Sequence, residues 1–510
     1  MSTTLVTPDT PLPDDLTLCQ SMIRELLQLL QSERRDREQL QNRLDQLLRR
    51  LYGPRSEQRR PDQPLLFAEP DLPAPSPPMP DPPTLSSPPN SHAGKRGHGR
   101  RKLPEQLRRE RVVHDLNDLE KLCPCCTAPR VKISEEVSER LDYEPASLFV
   151  VEHVRPKYVC RACAGQMAIA ELPPEPIAKG IPAAGLVAAV IVNKFVDHQP
   201  LHRQQQKFTR EGLELHRSTL CDWLAQSAKL LERLYALMVA SVLKSKVIHT
   251  DDTPVRLLGE SGAQTGRLWV YVGDRQHPYT VFDATTNHSR DGPVTFLREF
   301  AGYLQADAFS GYNCVFARGV TEVACWAHAR RKFVEAESSH AALASEAIAR
   351  IRALYEVEKR AKELSSAERL ALRQAESAPL LRSFGEWLEQ LRATVLPKSS
   401  LATAIGYALN QWQALNVYVT DGDLNIDNNA AENALRGTAV GRKNWLFYGS
   451  ETGGHTAAIL TSFTATCKRH GINPWLYLKD VLTRLPACPP EQLANLLPDA
   501  WAVAQAAAAK

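Results

Sequence analysis

The chain has 510 residues, 43% hydrophobic and 24% charged, with a net charge of +4. That length is too great for one ordinary domain, and the charge total does not by itself announce a nucleic-acid binder. No run approaches the roughly 20 apolar residues of a membrane span, the acidic start MSTTLVTPDTPLPDD lacks a secretory pattern, and 11 Cys are too sparse for a secreted disulfide scaffold. A cytoplasmic protein with no membrane partner is expected.

Residues 16–52 read as one helix. Ile23, Leu26 and Leu30, then Leu40, Leu44, Leu47 and Leu51, fall three and four apart, the period of a leucine-zipper-like coiled coil. Glu33 and Arg37 interrupt that seam. Self-association is favoured over packing on its own chain, because the following segment supplies no adjacent core. That segment, 53–111, is a Pro-rich linker and basic stretch. Residues 61–90 hold twelve Pro, which enforces an extended spacer. From Lys95 to Arg111 there are eight Lys/Arg (Lys95, Arg96, Arg100, Arg101, Lys102, Arg108, Arg109, Arg111) against Glu105 and Glu110. Such a run suits a phosphate backbone, although a solvated linker has the same composition.

Residues 112–170 contain Cys123-Pro-Cys125-Cys126 and Cys160-Arg-Ala-Cys163, separated by an alternating stretch that reads as short strands. Two Cys-x-x-Cys knuckles joined by β-hairpins present four thiolates tetrahedrally to zinc. Cys123, Cys126, Cys160 and Cys163 are the candidate ligands for a structural Zn²⁺, with Cys125 to spare. Buried reduced thiols or a redox pair are the alternative. Residues 171–245 form a helical domain. PLHRQQQKFTREGLELHRSTLCDWLAQ resembles a helix-turn-helix: one helix ends near Arg210, Gly212 turns the chain, and a second opens at Arg217 and Ser218 with Leu220, Trp223 and Leu224 inward. Arg217 and Ser218 would then face a DNA groove. An ordinary helical hairpin has the same turn chemistry.

From 246 the texture changes to strands: VIHT, RLWVYVG and YTVFDA, then a helix from Pro293, a strand near 302–306, and a strand running into a helix at VACWAHARRKF. This order matches a mixed sheet with helices packed on it. Asp251 and Asp307 are each placed at a strand's C-terminal end, so that neighbouring strands would bring them together. Converging carboxylates need a cation, and their oxygens select Mg²⁺ or Mn²⁺. Any one such Asp is more often a turn or capping residue. Residues 335–420, rich in Ala, Leu, Glu and Arg, read as an all-helical insertion. The stretch 421–465 would return to the sheet-bearing domain begun at 246–334. In IDNNAAENALR, Asp427, Asn428 and Asn429 are capping choices and Glu432 falls in the first turns of a helix. Arg436, Arg442 and Lys443 follow as a candidate DNA-contacting strip. Residues 466–510 form a C-terminal helical segment.

HTDDTPVRLL, ADAFSGYN, CWAHARRKF and IDNNAAENALRGTAVGRKNWLFYGS resemble the insertion sequence 66 family of bacterial transposases. YGPRSEQ, GKRGHGRRKLP, the Cys pairs, PLHRQQQKFTREGLELHRSTLCDW and GINPWLYLKDVLTRLP resemble it in the same order. The resemblance implies a multidomain α+β protein with a ribonuclease-H-like catalytic core and an Asp-Asp-Glu triad, which falls on Asp251, Asp307 and Glu432. Relatives usually carry Glu where this chain has Asp252. Strand alternation puts adjacent side chains on opposite faces, and Asp251 is the one assigned. The implied activity uses two Mg²⁺ (or Mn²⁺) ions to cleave the ends of an insertion sequence and join the 3′-OH to target DNA. Double-stranded DNA, a second copy of the chain, and companion proteins of the same element are the implied partners, in a nucleoid-associated setting. Cys325-Trp-Ala-His328 is similar to a motif after the second Asp in several transposase families; a structural or DNA-positioning role for His328 is preferred over metal ligation. A non-catalytic DNA-binding regulator and a nuclease that cuts without joining are the rival readings.

Overall fold

The computed structural model describes residues 16–52 and 103–508, apart from 104, 106, 119, 126–127, 145–146, 160–166, 178–179 and 260–261. The chain divides into two units, one comprising Met1–Ser76 and Val323–Asp427, the other Pro77–Glu322 and Asn428–Lys510. With neither Pro nor Gly between Leu16 and Tyr52, nothing interrupts helical hydrogen bonding, and α1 runs through all of Leu16–Tyr52. The seam residues Ile23, Leu26, Leu30, Leu40 and Leu44 are all exposed.

In the larger unit, β1 (Arg108–Val113), β2 (Val131–Glu144), β3 (Ser147–Val159) and β4 (Ala168–Ile169) form a small sheet in which β3 lies between β1 and β2, with β4 pairing beside it. The basic run therefore ends in a strand, and its last Arg residues are locally neutralised. Arg109 lies 3.0 Å from Glu139 and 3.4 Å from Glu152, Arg111 pairs with Glu135, and Arg108 pairs with Glu110. The buried Asp142 carboxylate accepts the N–H groups of Tyr143 and Leu186. It thereby ties β2 to the first turn of α2 (Ala184–Phe195), where eight consecutive residues are buried. A helix apolar all round belongs inside a core. The next two helices are α3 (Leu201–Arg210) and α4 (Arg217–Val242).

A five-stranded sheet follows: β5 (Val247–Gly259), β6 (Gly262–Val272), β7 (Thr280–Thr285), β8 (Tyr303–Gln305) and β9 (Thr321–Val323), in the order β7-β6-β5-β8-β9. β5, β6 and β7 are antiparallel neighbours, while β8 runs parallel to β5. The short helices α5 (Asp291–Phe296) and α6 (Asn313–Phe316) flank β8 in sequence.

The smaller unit is helical from α7 (Trp326–Ala336) through α8 (Ala341–Ala361), α9 (Ser366–Leu372), α10 (Ala378–Arg392) and α11 (Ser400–Asn410) to α12 (Trp412–Asn416). Ser365 and Glu368 form a reciprocal capping box at the start of α9. Trp326, Phe333, Phe384 and Trp412 pack ring against ring at its centre. Arg373 is fully buried in the same unit, bonded to both oxygens of Glu358 and to three backbone carbonyls.

In the larger unit the chain continues with α13 (Asn429–Trp445), α14 (Glu451–Arg469), α15 (Pro474–Arg484) and α16 (Pro498–Ala508). One face of the sheet (Val255, Leu257, Val270, Phe282) packs on Ala431 and Leu435 of α13 and on Ala457 and Ala458 of α14. The other face (Ile248, Trp269, Tyr271, Val281) joins the main core with Leu297, Leu304 and Tyr312. Side chains alternate between these layers with the two-residue period of a strand. The outer edge of β7 is closed by hydroxyls of α14: Phe282 N–H donates to Ser462 Oγ and Thr280 N–H to Thr466 Oγ1. An edge closed in this way cannot pair with another chain. Among the described residues, no helix is long and apolar enough to cross a membrane.

Candidate active site

Asp251 lies inside β5, not at its end. β6 continues the antiparallel pairing out to Gly259 and Gly262, so the strand runs on past the acidic pair. The parallel partner stops earlier: its last registered pair is His249 with Gln305. Asp251 is two residues beyond the first of that pair and Asp307 two beyond the second. Equal offsets on parallel neighbours put the two side chains abreast on one face. Asp307 accepts the Phe309 N–H, which shapes the turn behind it.

Register separates the two adjacent carboxylates. Asp251 is opposite Val270, on the face covered by α13, while Asp252 is opposite Trp269 on the other face. Asp252 is engaged by Arg267 at 2.8 Å and by His288 at 3.3 Å, and His288 stacks on Phe309 with centroids 4.2 Å apart. Glu432 lies in the first turn of α13. The helix-capping residue is Asn428, but its side chain caps nothing. Its amide instead donates to the Thr250 carbonyl at 2.8 Å, and its oxygen faces His249 Nδ1 at 3.2 Å. Asn428 and His249 were both missed as site residues. The only signal in the sequence was the IDNN run, which reads equally well as a cap.

Burial pushes the Asp251 carboxyl up to about 7, and Asp307, Asp252 and Glu432 push in the same direction. Burial likewise pushes His249 down to about 4, against its hydrogen bond to the Asn428 oxygen. Half-buried carboxylates near enough to raise the Asp251 carboxyl in this way suit a hard divalent cation. The titration has a measurable consequence. Between pH 4 and 7 folded Asp251 holds a proton that the unfolded chain has released, so its contribution to stability declines as pH rises through this window. In Mg²⁺-free buffer the melting temperature should fall from pH 5 to pH 8, and Asp251→Asn should flatten that slope. An identical slope in the variant would reject the coupling.

The remaining candidates are dispersed. Arg436 and Lys443 are exposed on α13. Arg442 is held inward, donating to Thr253 Oγ1 and the Pro254 carbonyl at 2.7 Å each, so it fastens α13 to β5. α3 ends at Arg210, Gly212 turns with φ of 83°, and α4 opens at Arg217 with Ser218 also exposed. Leu220, Trp223 and Leu224 point inward. Cys123 is buried and Cys125 exposed; Cys126, Cys160 and Cys163 lie outside the described residues, as do Lys95, Arg96, Arg100, Arg101 and Lys102. Cys325 precedes the first turn of α7, with a ligand atom of His328 within 4.8 Å of its sulfur.

Residues 179–456, more than half of the chain, match the model of the Transposase IS66 family. The chain belongs to that family. The segment matched in this IS66 member contains Asp251, Asp307 and Glu432. Residues 120–164 match the zinc-finger binding domain of transposase IS66, 462–498 the IS66 C-terminal element, and 39–112 a model described as Transposase C of IS166 homeodomain. Two relatives come from Sinorhizobium fredii. The uncharacterized protein y4hP is 34% identical over 80% of this chain and 78% of its own length. The uncharacterized protein y4jD is 32% identical over 78% of this chain and 81% of its own.

Proposed function

We propose that this IS66-family chain is a metal-dependent transposase with a ribonuclease-H-like core, which cleaves the ends of an insertion sequence and joins them to target DNA. The carrying observation is that Asp251 and Asp307 each stand two residues beyond the paired His249 and Gln305 of parallel β5 and β8, with Glu432 in the first turn of α13. Parallel adjacency of β5 and β8 is what a carboxylate within the first strand and one just past the end of the other need in order to converge. Asp251, Asp307 and Glu432 would hold Mg²⁺ or Mn²⁺. When bound, such ions supply an activated water and neutralise charge on the phosphate. The protein's own part is to fix the three carboxylates, orient the DNA and keep Asp252 occupied by Arg267. No side-chain nucleophile is required.

DNA recognition is assigned to Arg217 and Ser218 at the start of α4, to the exposed Arg436 and Lys443 on α13, and to the basic run from Lys95 to Lys102, while Arg442 fastens α13 to β5. Cys123, Cys126, Cys160 and Cys163 would hold a structural Zn²⁺. The geometry that supports this is the hairpin of β2 and β3: Val131 is opposite Val159, so the chain enters and leaves at the same end, bearing one Cys pair on each side. The exposed seam of α1 would pair two copies of the chain, one for each element end. Companion proteins of the same element would complete the assembly.

Incubation with DNA carrying an element end and Mg²⁺ tests the proposal. Site-specific nicking followed by joining supports it, nicking without joining would indicate a nuclease, and binding alone would indicate a regulator. Replacing Arg96, Arg100, Arg101 and Lys102 by Ala should reduce the slope of log affinity against log salt by roughly 3 to 4. An unchanged slope would remove the basic run from the interface.

A further inference from the structure

The three acidic residues come from distant parts of the chain, yet residue 250 touches both of the other segments. Its carbonyl accepts the Asn428 amide N–H at 2.8 Å, joining β5 to the start of α13. Its hydroxyl lies 3.3 Å from the Tyr312 hydroxyl, joining β5 to the segment that follows Asp307. Thr250, Asn428 and Tyr312 are all essentially inaccessible to solvent. Because the Asn428 N–H is given to Thr250, its oxygen faces His249, and His249 Nδ1 must be the donor in that contact.

Asn428 is at the capping position of α13, where an Asn side chain ordinarily accepts a first-turn N–H and stabilises the helix by about 1 kcal/mol. This one makes no such bond. Its amide reaches across to β5 instead. Glu432 follows four residues later, one helical turn on and on the same face. Holding Asn428 against Thr250 therefore turns Glu432 toward the strand that carries Asp251. On the other side, the Tyr312 ring meets Phe309 edge-on at 5.6 Å, and Phe309 is itself bonded through its N–H to Asp307.

We infer that Asn428 and Tyr312, joined through Thr250, form a clip that sets the three carboxylates in register for divalent ions, with both residues acting as positioning residues. The inference rests on the metal-binding reading of Asp251, Asp307 and Glu432. Neither clip residue is a ligand. Their effect is carried by where they hold the segments that supply the ligands, as outer partners do in other metal sites.

Manganese binding to the full chain, followed by electron paramagnetic resonance, separates the possibilities. The relevant binding is the part that Asp251→Asn removes. Asn428→Ala should weaken it about 10-fold, the lower end of what outer-partner substitutions cost. Tyr312→Phe, which deletes a single oxygen and keeps the ring, should weaken it to a smaller extent. A melting temperature lowered with manganese affinity intact would mean a purely structural role and overturn the clip. Unchanged affinity in both variants would do the same while leaving the catalytic proposal standing. If the wild-type chain shows no Asp251-dependent manganese binding, the catalytic proposal itself fails. Should Asn428→Ala not fold, Tyr312→Phe decides the question alone.

Discussion

Purified Asp307→Asn protein is expected to bind end-containing DNA as well as the wild type and to leave it uncut. The substitution keeps the shape of the side chain and the turn at Phe309, but removes one of the three charges clustered at Asp251. Loss of a principal electrostatic group from a preorganised site costs on the order of 10³-fold in rate. Asp251→Asn should behave alike, and Glu432→Gln with it. The informative control is Asp252→Asn. Asp252 is on the opposite face of β5, paired with Arg267. Neutralising it should cost about 1–3 kcal/mol of stability through the stranded guanidinium, with cleavage retained. Cleavage by Asp307→Asn, or its complete loss in a well-folded Asp252→Asn, would show that the acidic centre has been wrongly drawn.

The second large effect is expected in the helical unit. Arg373 opens the π-helical turn Arg373–Ser377 between α9 and α10. Its guanidinium grips Glu358 at 2.8 and 2.6 Å and also satisfies the carbonyls of Tyr418, Asp421 and Leu424. This one side chain therefore joins α8 to the stretch that closes the unit. Arg373→Ala leaves the largely buried Glu358 carboxylate without its partner, a change that costs about 3–5 kcal/mol. Thermal melts should show a large loss, and amide exchange in α8 and in residues 417–424 should accelerate. Combining Arg373→Met with Glu358→Leu should recover part of the loss, because no unpaired charge then remains inside. A melt of Arg373→Ala that overlays the wild type would refute this account.

Much of the architecture could be read locally. The extent of α1 follows from an uninterrupted helical composition with a zipper period. The turn at Gly212 and the inward set Leu220, Trp223 and Leu224 follow from one glycine and a helical stripe. The position of Glu432 in the first turn of α13 follows from the polar residues before it. In each case neighbours in sequence are neighbours in space, so spacing alone carries the information.

Other features became visible only once the chain had closed on itself. Arg108, Arg109 and Arg111 looked like the end of a free basic run, but β1 lies beside β3 and their charges are taken up by glutamates, most of them on β2 and β3. Arg442 looked like a phosphate contact and is bonded to β5. Asn428 looked like a helix cap and is a tie between α13 and residue 250, 178 positions away.

The amino-acid sequence by itself determined the helices, the paired cysteines and the family resemblance, and it nominated the three acidic residues proposed for the site. It did not determine which adjacent aspartate faces α13, where β5 ends, or what holds the three acidic segments together. Those outcomes depend on which strand lies next to which and on the face a helix covers. Several are set by packing between distant segments, 56 residues apart for β5 and β8 and 178 for Thr250 and Asn428, which leaves no periodic trace in either one.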